Sequence, residues 1–139
     1  MIKSKAFTLM EILVVLFIIG FLMAFIGPRF AKRFFKSEIA MTKMKMDKIK
    51  NALSDYKMDM GHYPNKREGG VQALISKPNV PGNEKWDGPY VDTEEDLDDK
   101  WGDPFEVNIP PVKYKQFRFF EIISTGGQSA DATEIFIGA

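Results

Sequence analysis

The chain has 139 residues, no cysteine, and 19 Lys and Arg residues against 19 Asp and Glu residues. This balance excludes the overall basic field that would indicate binding to nucleic acid or to acidic lipid. Without cysteine there can be no disulfide bonds, so an exported domain of this size must rely on packing, a bound ion or neighbouring subunits. Once an N-terminal membrane segment is subtracted, the length suffices for one small domain.

The chain begins with a long apolar segment. From Phe7 to Gly27, Glu11 is the only charged residue. As an α-helix this segment would be about 31 Å long, which is enough to cross the hydrocarbon core of a bilayer. A carboxylate one turn into such a helix is costly unless it lies at headgroup depth or meets a cation, and the apolar segment contains no cation. We therefore predict a membrane-spanning helix in which Glu11 needs a partner.

The residues around Glu11 resemble a processing signal. Residues 6–11 (AFTLME) follow a short leader that contains Lys3 and Lys5, and they are similar to the class III signal of type IV pilins and type II secretion pseudopilins. The resemblance implies that a prepilin peptidase cleaves between Ala6 and Phe7 and that the new amino group of Phe7 is methylated. It also implies that Glu11 pairs with the amino group of a neighbouring subunit. In the family the residue before the cleavage site is usually Gly, whereas it is Ala6 here.

The charges that flank the apolar segment allow other interpretations. Two lysines before an apolar segment are also typical of an ordinary secretory signal peptide, but no small-x-small cleavage motif follows the segment. Four cations come after the segment: Arg29, Lys32, Arg33 and Lys36. Because they outnumber Lys3 and Lys5, a charge count favours a cytoplasmic C-terminal part. The resemblance implies a periplasmic one, and we adopt it because the motif is more specific than this charge difference.

A second helical segment is predicted after Pro28, which should kink or loosen the helix locally. From Arg29 to Met60, apolar residues recur at spacings of three, four and seven, which predicts an amphipathic helix. The apolar stripe consists of Phe30, Phe34, Ile39, Met46, Ile49, Leu53, Tyr56 and Met60. We expect the C-terminal domain to fold on this stripe. Gly61 and Pro64 predict the end of the helix.

Three β-like runs follow in the C-terminal half, at residues 105–109, 114–123 and 133–137. Pro110-Pro111 separates the first two runs, and Gly126-Gly127 ends the second. A small antiparallel sheet needs a cover for its apolar face, and the amphipathic helix can supply it. The sequence therefore predicts an α+β fold, with a long N-terminal helix, membrane-spanning in its first half and amphipathic in its second, packed on a small antiparallel β-sheet.

Motifs beyond the N-terminus make the resemblance more specific. Segments 56–59 (YKMD), 63–64 (YP), 72–75 (QALI) and 86–90 (WDGPY) are together more similar to the major pseudopilins of type II secretion than to fibre-forming type IV pilins. The similarity covers most of the chain, although the Asp-Pro-Trp-Gly of the family appears here as residues 99–102 (DKWG). The resemblance implies a pilin-like fold and a structural role in a filament.

The loop at residues 124–131 (STGGQSAD) is a candidate metal site. In pseudopilins the matching loop binds calcium through backbone carbonyls and Asp side chains. The resemblance implies that Thr125 offers its carbonyl oxygen here and Asp131 its carboxylate, while Gln128 stands where the family has its first Asp. Fewer carboxylates weaken the attraction for calcium. The alternative is a Gly-rich hairpin turn that binds no ion.

The sequence offers no residues for catalysis. His62 is the only histidine, and without cysteine or a nearby Ser-Asp pair it cannot build a zinc site or a catalytic triad. The acidic window at residues 92–99 lacks the Gly and the final Glu of an EF-hand loop, so we interpret it as a solvated charge run. Lysines between Lys43 and Lys50 give the helix a basic side, but Met and Asp interrupt it, and we expect no nucleic-acid partner.

Together with the resemblance, these observations divide the chain into a leader (1–6), a transmembrane and filament-core helix (7–28) and a periplasmic pilin-like domain (29–139) that includes the amphipathic half of the helix. The resemblance implies a non-enzymatic pseudopilus subunit, anchored in the bacterial inner membrane, that polymerises through its N-terminal helix to drive protein export across the outer membrane. Its expected partners are further copies of itself, minor pseudopilins, an inner-membrane assembly platform and a prepilin peptidase. The alternatives are a type IV pilus or competence pilin, and a monomeric membrane-anchored binding domain that keeps its leader.

Overall fold

A computed structural model describes residues 7–127 and 133–139. The chain divides into two compact units, Met1–Ser37 and Glu38–Ala139. One helix, α1 (Leu9–Met60), contributes to both units, and the second unit also contains the strands β1 (Glu106–Asn108), β2 (Glu121–Ser124) and β3 (Ile135–Gly138). Four short 3-10 helices lie between α1 and β1: Lys66–Glu68, Gly70–Leu74, Asn83–Lys85 and Glu94–Leu97.

Helix α1 ends at the residue that the sequence predicts. Pro28 lies inside the helix, which continues to Met60. Gly61 then adopts a φ of 82°, and its N–H donates a hydrogen bond of 2.8 Å to the carbonyl oxygen of Lys57. Glycine adopts this left-handed conformation without the steric cost that a Cβ atom brings, so it stops the helix here.

The amphipathic stripe is confirmed from Ile39 to Met60, both of which pack partly against the core. Four stripe residues are completely buried: Met46, Ile49, Leu53 and Tyr56. Phe30 and Phe34 are predicted to face the domain as well, and this prediction is wrong, since their side chains are 69% and 59% exposed. Both lie in the first unit, whose described part is a single stretch of helix with no second element to bury them.

The three strands form the predicted antiparallel sheet, and their order in it is β1-β2-β3. Val107 is paired with Ile122, and Ile122 with Ile137, so these three side chains share one face of the sheet. Ile122 belongs to the hydrophobic core to which the second half of α1 also contributes, and the partly buried Val107 and Ile137 pack against it. The helix therefore covers the apolar face of the sheet, and the predicted α+β fold is confirmed.

Strand β2 is shorter than predicted. The run that begins at Tyr114 is predicted to be strand throughout, but the strand starts only at Glu121. At the start of this run the N–H of Tyr114 donates to the carboxylate of Glu121. The N–H groups of residues 118–120 donate to a single acceptor, the carbonyl oxygen of Ala139. A strand-like composition does not reveal this, because these N–H groups bond to a buried acid and to one carbonyl oxygen, and not to successive residues of a neighbouring strand.

Candidate functional site

The first half of α1 exposes its apolar side chains. Leu9 is 80% exposed and Phe17 is 75% exposed, and the large apolar residues between them are exposed as well. Within this helix an 18-residue window is apolar and poor enough in charge to span a membrane, and none of that window is buried. An uncovered apolar surface of this extent needs lipid or other protein around it.

Glu11 is held by the residue that precedes the helix. Thr8 donates two hydrogen bonds to the carboxylate oxygen Oε2 of Glu11, one from its backbone N–H (3.1 Å) and one from its hydroxyl (3.2 Å). The N–H of Glu11 donates in return to the Thr8 hydroxyl at 3.2 Å. This arrangement is a capping box. The partner that the sequence predicts for Glu11 is a cation, which Thr8 does not provide, so that expectation stays a prediction. The Thr-x-x-Glu spacing indicates the capping box itself.

Thr8 supplies hydrogen bonds but no positive charge. Among residues 7–127 and 133–139, the ion pairs involve other carboxylates and the hydrogen bonds to Glu11 reach only Oε2. Phe7, the predicted first residue after cleavage, is 76% exposed, while Ala6 lies outside the described residues. As far as the described residues show, the second carboxylate oxygen of Glu11 is available to a cation from another molecule.

The C-terminal loop is anchored at the point where it leaves β2. The Ser124 hydroxyl donates to Oδ2 of Asp99 at 2.6 Å and accepts from the N–H of Gly126 at 3.1 Å. Asp99 is only 3% exposed. Its other oxygen, Oδ1, accepts from the N–H groups of Trp101 and Asp103, both at 3.0 Å. Asp99 therefore ties the start of the loop to the segment 99–103.

The acidic window folds onto α1, and the prediction of a solvated charge run is wrong for part of it. Lys48 of α1 pairs with Asp92 at 2.8 Å and with Asp96 at 2.9 Å. The hydrogen bond from Lys48 holds the pKa of Asp96 below its usual value. Lys45 donates to the carbonyl oxygens of residues 95 and 98. These contacts and the burial of Asp99 join distant segments, which the spacing of acidic residues cannot reveal.

The glycines that follow β2 are required by close packing. A side chain on Gly127 would lie 2.9 Å from the indole ring of Trp101, and one on Gly126 would lie 2.2 Å from the carbonyl oxygen of Thr133. Trp101 is itself fixed to α1, because its indole N–H donates to Glu38 at 3.2 Å. Gly126 and Gly127, in the first part of the loop, are thus packed closely against Thr133 and Trp101.

Of the three predicted calcium ligands, the structure describes only Thr125, which is exposed. Gln128 and Asp131 lie outside the described residues. Within the described ranges, no group of three or more His, Asp or Glu side chains is placed to hold a metal ion. The calcium site therefore stays a prediction.

We expect Ser124→Ala to lower the free energy of unfolding by about 1–3 kcal/mol, because it leaves a buried carboxylate oxygen of Asp99 without its donor. Urea unfolding of the full chain in detergent, followed by tryptophan fluorescence, measures this loss. Ser54→Ala is the matched control, since the Ser54 hydroxyl bonds only to an exposed helix carbonyl of Lys50. Equal stabilities of the two variants would show that the Asp99 contact does not hold the loop.

Two family models match the chain in consecutive segments. Residues 1–27 match the prokaryotic N-terminal methylation motif, and residues 29–135 match the type II secretion system (T2SS), protein G, family. The chain belongs to the type II secretion system protein G family. The N-terminal match includes residues 6–11, on which the predicted processing signal depends.

Relatives of known name agree with this assignment. Type II secretion system core protein G of Aeromonas hydrophila is 30% identical, with 98% of this chain and 92% of the relative covered. The protein of the same name from Klebsiella michiganensis is 31% identical at the same coverage. The fold is similar to the crystal structure of the major pseudopilin from the type 2 secretion system of enterohaemorrhagic Escherichia coli, with a TM-score of 0.54 and 26% identity over 73% of this chain and 86% of that one. The chain is thus a type II secretion pseudopilin, and proteins of this family are structural subunits. The alternative of a type IV pilus or competence pilin is not favoured.

Proposed function

We propose that this protein G relative polymerises through the first half of α1 into a pseudopilus and so drives protein export across the outer membrane. The observation that carries the proposal is the uncovered apolar surface between Phe7 and Phe25, in which Glu11 is the only charge. Such a surface is equally suited to lipid before assembly and to the apolar helices of sister subunits after it. Transfer of the helix from the bilayer to the filament then requires little free energy, and an assembly platform supplies the energy for assembly.

Processing creates the cation that Glu11 lacks. A prepilin peptidase removes residues 1–6, and the amino group of Phe7 becomes the methylated N-terminus, in line with the match to the N-terminal methylation motif. In the filament this amino group pairs with Glu11 of a neighbouring subunit, while Thr8 orients the carboxylate from within its own chain. A buried carboxylate tolerates only arrangements that bring it a cation, so the pair sets the register between subunits.

Family membership and the apolar helix also support a location in the inner membrane and the periplasm. Residues 7–28 anchor the chain in the bacterial inner membrane, and residues 29–139 lie in the periplasm. There the chain contacts further copies of itself, minor pseudopilins and the inner-membrane assembly platform. No residue is assigned a catalytic role.

Co-expression with a prepilin peptidase and a type II secretion assembly platform tests this function. We expect filaments that can be sheared from the cells, that are visible by electron microscopy and that contain this chain as their main component. They should disappear when either partner is left out. Absence of filaments where an established pseudopilin assembles with the same partners would contradict the proposal.

Calcium binding at Thr125, Gln128 and Asp131 is a separate part of the proposal. Thr125 is exposed and lies within the loop, which favours calcium binding. Gln128 contributes no charge, which weakens it. We expect EGTA to lower the melting temperature, excess calcium to restore it, and Asp131→Asn to abolish this response, because carboxylate charge tunes calcium affinity. Identical melting temperatures in EGTA and calcium would leave the Gly-rich turn, held by Asp99 and Trp101, as the correct interpretation.

A further inference from the structure

We propose that a basic stripe just past the apolar segment binds the headgroups of anionic phospholipids. The stripe consists of Arg29, Lys32, Arg33 and Lys36. The inference goes beyond filament formation, but it depends on the membrane anchoring contained in the proposed function. The balanced charge of the whole chain gives no indication of such a lipid partner.

The four cations lie on one side of α1. Their positions are separated by three, one and three residues within a continuous helix, and this spacing confines them to an arc of about 100°. All four side chains are exposed. No acidic residue occurs between Glu11 and Glu38, and the ion pairs found among the described residues involve other cations. The stripe therefore carries a local positive charge that no acidic residue of the same segment neutralises.

The stripe continues an apolar surface on the same side of the helix. Phe25, Ile26, Arg29, Phe30 and Arg33 line one shallow depression of about 420 Å³ on the first unit. Apolar side chains lie mostly at its N-terminal end and guanidinium groups towards its C-terminal end. This is the order of groups in a phospholipid that lies along a membrane helix, with acyl chains beside the apolar part and the phosphate beside the cations.

The depth of the stripe favours a lipid over a soluble anion. If residues 7–27 span the hydrocarbon core, Arg29 follows within one turn and the stripe begins at headgroup level. An arginine guanidinium matches two phosphate oxygens at once, and a lysine adds a compact charge. Each cation close to an anionic membrane surface strengthens binding by about fivefold, so four of them can select anionic lipid over a zwitterionic one.

Spin-labelled lipids test this selection directly. The full chain is reconstituted in vesicles that contain spin-labelled phosphatidylglycerol or phosphatidylcholine, and electron paramagnetic resonance gives the ratio of their association constants. The test variant is R29Q/K32Q/R33Q/K36Q. The control is K66Q/K77Q/K85Q/K115Q, which removes the same charge from exposed lysines of the second unit. We expect the wild type and the control to prefer phosphatidylglycerol by about fivefold or more, and the test variant to lose this preference.

Each other outcome would overturn the proposal in a recognisable way. A preference that survives in the test variant, or that is lost equally in the control, would show that the stripe does not select the lipid. Competition by inorganic phosphate, beyond that of chloride at equal ionic strength, would assign the stripe to a soluble anion. Alkaline extraction of the vesicles separates this site from the proposed function: a wild-type chain that is not retained contradicts membrane anchoring itself, whereas a retained chain without lipid preference contradicts only the stripe.

Discussion

Glu11→Ala is expected to insert into the membrane at the wild-type level and to form no filaments. In the proposed filament, Glu11 is the carboxylate that pairs with the amino group of a neighbouring Phe7. Its removal would leave that charge unpaired in an apolar core, which is strongly unfavourable. We expect the yield of filaments to fall by about a hundredfold or more. Immunoblots of the sheared fraction and of the membrane fraction measure assembly and insertion separately.

Two further variants separate the charge of Glu11 from its hydrogen bonds to Thr8. Glu11→Gln keeps an oxygen that can accept from Thr8 but has no charge, and we expect it to fail in assembly as well. Thr8→Val removes the hydroxyl from the capping box and leaves the carboxylate in place, so the loss should stay below about tenfold. If Glu11→Gln assembled normally, Glu11 would act only as a cap within its own chain, and the proposed pairing between subunits would be wrong.

Glu121→Gln is expected to lower the free energy of unfolding by about 3 kcal/mol or more. Glu121 is completely buried, and its Oε1 accepts from Asn108, from the N–H of Val112 at 2.9 Å and from that of Lys113 at 2.8 Å, while Oε2 accepts from the N–H of Tyr114 at 2.6 Å. In an amide, the NH2 group would point at one of these donors. Urea unfolding of the full chain in detergent measures the loss, and the exposed Glu94→Gln is the control.

The same carboxylate should make stability depend on pH. Burial raises the pKa of Glu121, but the backbone N–H groups of residues 112–114 and the Asn108 amide outweigh it and bring the pKa to about 2. A carboxyl with a lowered pKa in the folded state stabilises the protein above its unfolded value and loses this contribution as the pH falls. The wild type should therefore lose more stability than Glu121→Gln between about pH 5 and pH 2. Parallel pH profiles of the two proteins would contradict this role.

The elements that could be predicted from the sequence are those with a local signal. The helical spacing of Ile39 to Met60 predicts the buried face of α1, and Gly61 predicts its end. Turn residues between the β-like runs predict an antiparallel sheet. The start of β2 depends on the bonds of residues 118–120 to Ala139, and the burial of Asp99 on its bond with Ser124, 25 residues away. Local spacing contains no information on such pairs.

The candidate site could be predicted only in part, for a similar reason. The position of Glu11 in an apolar segment indicates that it needs a partner, and the family match to residues 1–27 agrees with the motif around it. The spacing of Thr8 and Glu11 is that of a capping box, and this local signal is separate from the need of Glu11 for a cation. The basic stripe is masked by the overall charge balance, and it becomes evident only when the residues after Gly27 are placed on a continuous helix.

The central claim is that assembly requires the amino group that cleavage before Phe7 creates. The intact mass of the chain in purified filaments tests it most directly. We predict that every polymerised chain begins at Phe7 and carries a methyl group on its amino nitrogen. Filaments built from chains that keep residues 1–6 would contradict the account, because Phe7 would then have no amino group to pair with Glu11.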